Sequence, residues 1–328
     1  MKIAILGAGG WGTANAVVLD GYGHEVVVWC RREEAARELA ETHVNARYLP
    51  GVSLPPRIAF TADRAQAVAG ADVVVFAVPS AHLRDICRTF KGLIPADTCR
   101  VSLVKGIESG TRLRMSEVIA DELGDAPLVV LSGPSHAEEV ARHIPTALVA
   151  ASTDIRSARL VQALWSGPAL RVYTSRDPIG VEVAGAVKNV LALAAGCSDG
   201  LGFGDNTRAA LVTRGLAEMG RLATACGAAA TTISGLAGVG DLVVTCNSRH
   251  SRNHTVGERL GRGETMADIL ASMKMVAEGV DNARSIHELA QSHHVEMPIA
   301  EIVNRICHAG YPVRDAIVAL MTRTMKDE

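Results

Sequence analysis

Lys188 sits in the segment 180–196, GVEVAGAVKNVLALAAG, where nearly every neighbour is small and apolar. On a helix its face carries Val181, Ala184, Gly185, Leu191, Ala192 and Ala195, at steps of three and four. An ammonium aimed at such a wall is costly unless it is paired or its pKa falls. A lysine whose pKa has been brought down exchanges protons near neutrality, which is what reduction of a carbonyl requires. The competing reading is a lysine that snorkels to water at a helix edge.

Further segments set polar residues beside tight turns. In GLAGVGDLVVTC, Asp241 lies in an apolar, glycine-rich surround. A carboxylate there needs a cation, and Lys188 is the candidate; the alternative is an aspartate that caps a turn. Ser251-Arg252-Asn253 precedes a short helical pattern. One arginine with capping groups at a helix start makes a cradle for phosphate or carboxylate, although Arg252 in a surface ion pair fits the same sequence. Lys105, in VKGIE, follows an apolar run and could meet a ligand carbonyl, or simply lie in water at a strand end. In SGPSHAEE, Ser135 offers a hydroxyl at a helix start; an ordinary N-cap accounts for Ser135 and Glu138 equally well.

These residues need a scaffold, and the first residues supply its outline. The apolar run Lys2–Leu6 leads directly into Gly7-Ala8-Gly9-Gly10-Trp11-Gly12, then a helical pattern, then the run EVVVW. That is G-x-G-x-x-G between strand and helix. Gly7 permits the tight turn, Gly9 lets backbone approach a pyrophosphate, and Gly12 lets helix and strand pack closely. Free N–H groups at the helix start favour phosphates. The second strand ends in Trp29-Cys30-Arg31-Arg32, with no acid to meet a ribose 2′-hydroxyl. Two guanidiniums suit a 2′-phosphate, so NADP(H) is the expected cofactor and NAD(H) the alternative. A solvated surface pair is the competing reading of Arg31 and Arg32.

The chain has 328 residues, enough for two domains, with 48% hydrophobic residues and a net charge of −2. The balance of charge points to neither nucleic acid nor a membrane surface. Seven cysteines, none in C-x-x-C spacing, read as reduced thiols of a cytoplasmic chain, without disulfides and without a metal site. His250 and His254 are four apart with no companion ligand between them, and read as helix-end imidazoles. No secretory signal is expected, and no run is expected to reach the length of a membrane span.

Strands are predicted at 2–6, 25–29, 57–60, 72–78, 100–104, 128–131, 147–151 and 170–173, alternating with helices. The alternation implies a doubly wound, mainly parallel sheet. After Asp177-Pro178 only helices and turns are predicted: 179–195, 208–226, 255–260, 266–271, 281–292, 299–309 and 313–323, with a glycine-rich break at 198–206. The expected organisation is therefore a dinucleotide-binding domain at 1–176 and an all-α substrate domain at 177–328, with substrate in the cleft they form.

GAVKNVLALAAG resembles the signature of the NAD(P)-dependent sn-glycerol-3-phosphate dehydrogenases, bacterial type. GAGGWGT, SLVKGIE, SGPSHAEEV, GLAGVGDLVVTC and HSRN resemble that family too and follow its order, while VAEGV and MPIAEIV extend a weaker similarity toward the C-terminus. The resemblance implies a Rossmann domain plus a helical domain of the 6-phosphogluconate-dehydrogenase-like kind. It implies interconversion of dihydroxyacetone phosphate and sn-glycerol 3-phosphate, which feeds phospholipid synthesis. Lys188 would be the general acid/base, with Lys105 and Asp241 beside it in catalysis. Gly133, Ser135, Asn189, Thr245, Ser251, Arg252 and Asn253 would line the substrate site, with Arg252 and Asn253 on the phosphate. Gly7, Gly9, Gly10, Trp11, Gly12, Arg31, Arg32, Lys105, Ala137, Arg252, Val276 and Glu278 would contact the cofactor. One departure is that His254 follows HSRN where the family often carries a further basic residue.

The implied partner is a phosphorylated triose, with no nucleic acid; a homodimer is compatible with the sequence, which leaves the oligomeric state open. Two rivals remain at this stage. One is a related two-domain dehydrogenase of β-hydroxyacids or keto acids, and the other a non-enzymatic module that senses NADPH.

Overall fold

The computed structural model describes residues 1–248, 250–273 and 275–325. The valine-rich runs of the first half become strands β1 (Lys2–Leu6), β2 (Glu25–Trp29), β3 (Ala59–Thr61), β4 (Val73–Phe76), β5 (Cys99–Ser102), β6 (Leu128–Ser132), β7 (Thr146–Ala151) and β8 (Leu170–Ser175). They form one sheet in the order β3-β2-β1-β4-β5-β6-β7-β8. Neighbours are parallel except β6 and β7, which are antiparallel. Successive residues point to opposite faces. Ile3, Ile5, Val26, Val28, Val73 and Val75 join one core layer, while Ala4, Leu6, Trp29, Val74 and Phe76 join the other. Helices cover both layers: α1 (Gly10–Gly21), α2 (Glu33–Thr42), α3 (Arg64–Val68), α4 (Leu83–Phe90), α5 (Met115–Leu123), α6 (Ala137–Val140) and α7 (Ile155–Trp165). The chain leaves β1 toward β2 on one side and later returns to β4 on the other. Such a reversal opens a crevice at the strands' C-terminal ends.

The remainder of the described chain is helical: α8 (Pro178–Gly200), α9 (Asp205–Ala225), α10 (Ala230–Ile233), a π-helical turn at Leu236–Gly240, α11 (Asp241–Asn247), α12 (Arg252–Gly261), α13 (Met266–Ser272), α14 (Glu278–Ser292), α15 (Pro298–Ala309) and α16 (Val313–Met321). The molecule packs as two units, Met1–Glu108 with Leu113–Glu182, and Ser109–Arg112 with Val183–Glu328. The division falls within α8, later than residue 176, because Glu182 is bonded to the first unit. Its carboxylate accepts Ser116 N–H at 2.7 Å, Ser116 Oγ–H at 2.6 Å and Arg114 Nη1–H at 2.8 Å.

Three expectations need correction. Strand β5 stops at Ser102, short of 104, so Lys105 lies in the following loop. Helix α8 runs through the expected break at 198 to Gly200. At 23 residues and a mean hydropathy of 1.4 it does have the length and composition of a membrane span, yet 94% of its apolar stretch is buried inside the protein. Glycines did not break it because they pack against another helix.

Candidate functional site

In the first unit the glycine turn follows β1 into α1. Gly7 has φ 124°, and a Cβ there would lie 2.5 Å from the Ala77 carbonyl. A Cβ on Gly10 would lie 2.5 Å from the Tyr48 carbonyl, whereas one on Gly9 would meet no protein atom within 4 Å. Gly9 therefore spares room for something other than protein. It is also the N-cap of α1, with no side-chain cap and no acid in the first turn. Uncapped N–H groups beside an open glycine fit a dinucleotide pyrophosphate. Trp11 is half-buried at the helix start, and Ala137 comes within 3.8 Å of the Gly10 Cβ position. Gly7 N–H donates to the Trp29 carbonyl at 3.1 Å, which sets the end of β2 beside the turn. Arg31 and Arg32 follow it, both exposed.

Two loops further along the sheet, Lys105 Nζ donates to the Gly133 carbonyl at 3.2 Å and Ser135 Oγ to the same oxygen at 3.0 Å. The structure thus joins three of the predicted residues. Ser135 is not the N-cap of α6. His136 occupies that position, and no side chain caps the helix.

In the second unit Lys188 is 7% exposed and Asp241 1%. Lys188 Nζ donates to Asp241 Oδ1 at 2.6 Å and to Thr245 Oγ1 at 2.9 Å. Thr245 Oγ–H in turn donates to the Asp241 carbonyl at 2.5 Å. Pairing, not snorkelling, resolves the buried ammonium. Asp241 and Thr245 share a helix face because they are four apart at the start of α11. The π turn before them closes with Gly240 N–H on the Gly235 carbonyl at 3.2 Å. Such turns recur at functional sites.

Asn189 and Asn253 meet through Asn253 Nδ2, which donates to Asn189 Oδ1 at 3.0 Å. Asn253 Oδ1 accepts Gly279 N–H at 2.9 Å. Ser251 caps α12, accepting His254 N–H at 3.2 Å. Arg252 is exposed and donates to the Val276 carbonyl at 2.9 Å. Arg252 and Val276, both expected on the cofactor, are therefore drawn together, with Glu278 two residues further on. His254 faces Asp199 at 2.8 Å, and Asp199 also accepts Arg208 at 2.8 Å. The histidine that departs from the family pattern is thus tied into the scaffold.

Sequence reading missed several supports. Asn45 Nδ2 donates to the Ala8 carbonyl at 3.0 Å and to Thr13 Oγ1 at 2.8 Å, pinning the glycine turn. The Glu182 clamp and Asp199 were missed as well. Their partners lie far along the chain, so no local spacing marks them. The π turn could have been suspected from the glycines crowded before Asp241.

Residues 2–158 match the family model described as NAD-dependent glycerol-3-phosphate dehydrogenase N-terminus, and residues 177–318 match the corresponding C-terminus model. A glycerol-3-phosphate dehydrogenase [NAD(P)+] of Thermobifida fusca (strain YX) is 51% identical over 100% of this chain and 98% of that protein. One from Chlorobium phaeobacteroides (strain BS1) is 49% identical over 100% of this chain and 99% of that protein. The crystal structure of glycerol-3-phosphate dehydrogenase from Coxiella burnetii superposes with a TM-score of 0.95 at 42% identity, covering 98% of this chain and 99% of that one.

Proposed function

The chain belongs to the NAD-dependent glycerol-3-phosphate dehydrogenase family, and from that premise we propose that it reduces dihydroxyacetone phosphate reversibly to sn-glycerol 3-phosphate, with NADPH preferred over NADH. The observation that carries the reading is the buried Lys188–Asp241–Thr245 cluster. A ketone oxygen turning into an alkoxide needs a proton and a positive charge in a dry place. The Lys188 ammonium offers both, and Asp241 with Thr245 holds it in one orientation.

A bound dihydronicotinamide supplies the hydride to the ketone carbon. The glycine turn with Gly7, Gly9, Gly10, Trp11 and Gly12 would hold the pyrophosphate. Arg31 and Arg32 would take the 2′-phosphate, and Ala137, Val276 and Glu278 would complete the cofactor contacts. Lys105, fixed on the Gly133 carbonyl beside Ser135, would meet a substrate or nicotinamide-side oxygen. The phosphate would sit on Arg252 and the first-turn N–H groups of α12, including that of Asn253, because both ends of the Asn253 amide are engaged elsewhere. Remote phosphate binding then positions the carbonyl.

The unit Met1–Glu108 with Leu113–Glu182 acts in this reading as the cofactor domain, and Ser109–Arg112 with Val183–Glu328 as the substrate domain. The setting is cytoplasmic, with the product passing to glycerophospholipid synthesis. The test is NADPH oxidation with dihydroxyacetone phosphate, beside NADH and beside a carboxylate-bearing ketone. Turnover is expected with the phosphate ester. Faster turnover of the carboxylate would overturn the substrate assignment.

A further inference from the structure

Helices α8 and α12 meet backbone against backbone at their glycines. A Cβ on Gly196 would fall 2.8 Å from Glu258 N, with the His254 carbonyl closer still. One on Gly257 would fall 2.9 Å from Cys197 N, and one on Gly261 2.9 Å from Gly200 Cα. Gly196 and Gly200 are spaced four apart, as are Gly257 and Gly261, so each pair lines one helix face. Small residues at that spacing let two helix backbones approach more closely than side chains allow. A third backbone joins this seam: a Cβ on Gly279 would lie 2.6 Å from the Asn189 carbonyl. The Asn189–Asn253–Gly279 hydrogen bonds run alongside, and His254–Asp199 ties α12 to α8 once more.

What the seam fixes is a distance. Helix α8 carries Lys188, and α12 begins at Arg252. The substrate joins its ketone carbon to phosphorus through only a methylene and an oxygen, so the proton donor and the anion site must lie close together and hold still. Geometry looser by about an ångström at such a site can cost roughly a hundredfold in rate. We infer that Gly257, with Gly196 facing it, is a positioning residue: contact between the two backbones sets the span from Lys188 to the phosphate-binding start of α12. The inference rests on the placement of the phosphate at Arg252 given above. It adds a cause for that placement, which neither Lys188 nor Arg252 supplies.

The experiment compares kcat/KM for dihydroxyacetone phosphate with kcat/KM for unphosphorylated dihydroxyacetone. The variants are Gly257→Ala, Gly261→Ala, Gly220→Ala and Arg252→Ala, with melting temperature and KM for NADPH recorded for each. By helix propensity alone each glycine replacement stabilises. Gly220 has nothing within 4 Å of its Cβ position, so its variant controls for the added methyl.

Gly257→Ala is expected to reduce the preference for the phosphorylated substrate by at least roughly tenfold, with KM for NADPH unchanged. Gly261→Ala, nearer the far end of α12, is expected to reduce it less. A folded Gly257→Ala enzyme that keeps the wild-type preference, or loses both activities in equal proportion, overturns the inference. So does an equal fall in Gly220→Ala. Should Gly257→Ala fail to fold, Gly261→Ala decides by the same ratio. If Arg252→Ala keeps the preference, the phosphate assignment is wrong, and the seam's role falls with it. If Arg252→Ala loses it while both seam variants keep it, only the seam's role falls.

Discussion

Lys188 Nζ lies 2.6 Å from Asp241 Oδ1, and both side chains are withdrawn from water. A buried pair of this kind contributes little net stability against an apolar pair of the same shape, but losing one partner leaves a stranded charge that costs about 3–5 kcal/mol. Stability alone therefore does not explain the pair, whereas the proton transfer proposed for Lys188 would. Lys188→Ala is expected to lower kcat by at least roughly a hundredfold. Asp241→Asn is expected to lower both kcat and the urea midpoint. Replacing both residues, as Lys188→Met with Asp241→Leu, should recover most of the lost stability and none of the turnover. Recovery of turnover in the double variant would remove Lys188 from the mechanism.

The Rossmann half was legible because its cues are local. The glycines, the valine runs and the alternation of elements lie within a few residues of one another, and all eight strands were placed to within two residues at each end. Strand β8 was placed correctly at its start and runs on to Ser175; its residues alternate between buried and exposed from Leu170 to Tyr173. Lys188 and Asp241 were also legible, because a charge in an apolar segment demands a partner. The supports around them were not. Asn45, Asp199 and Glu182 are ordinary polar residues until the chain folds them onto Ala8, His254 and Ser116. The predicted break at 198–206 falls at 201–204, and only its first residues, Gly200 among them, stay in α8 although glycine is a poor helix former. Packing against Gly257 and Gly261 overrode that propensity.

Arg31 and Arg32 follow the end of β2 with both guanidiniums exposed. A charge-assisted hydrogen bond to a 2′-phosphate is worth about 1.5–3 kcal/mol. Arg31→Ala should therefore lower kcat/KM for NADPH by roughly ten- to a hundredfold and leave that for NADH unchanged. Because the site is exposed, the NADPH preference should also shrink as ionic strength rises. Equal losses with both cofactors would move the 2′-phosphate away from Arg31.

Glu182 has its side chain 1% exposed against Arg114. Burial is the larger influence on its carboxyl and pushes its pKa up, while Arg114 and the two Ser116 donors oppose it. Glu182→Ala takes one acceptor from Arg114, which keeps Glu117 at 2.6 Å, and leaves the Ser116 N–H and hydroxyl without theirs, at a cost of about 2–3 kcal/mol. Urea denaturation should show it directly. Ser116→Ala removes one of the donors and should cost about 1 kcal/mol. A loss no larger for Glu182→Ala than for Ser116→Ala would mean the clamp is not what ties α8 to α5.

Glu218 gives the pH dependence its sign. Its carboxylate, on α9, accepts Ile299 N–H at 2.8 Å and Ala300 N–H at 3.2 Å, at the start of α15. Desolvation nevertheless dominates and raises its pKa from 4.5 to about 7. Between those values the folded chain holds a proton that the unfolded chain has released. Stability therefore falls as pH climbs through that window, by on the order of 3 kcal/mol in all, and the deficit persists above it. Below the window both states are protonated and the effect vanishes. Glu218→Gln removes the titration while keeping one acceptor for α15. The variant's melting temperature should accordingly vary less between pH 5 and pH 7.5 than that of the parent, by roughly the few degrees such a free-energy change commands in a chain of this size. An unchanged slope would mean that Glu218 is already ionised in the folded protein at pH 5, with the N–H groups of Ile299 and Ala300 outweighing its burial.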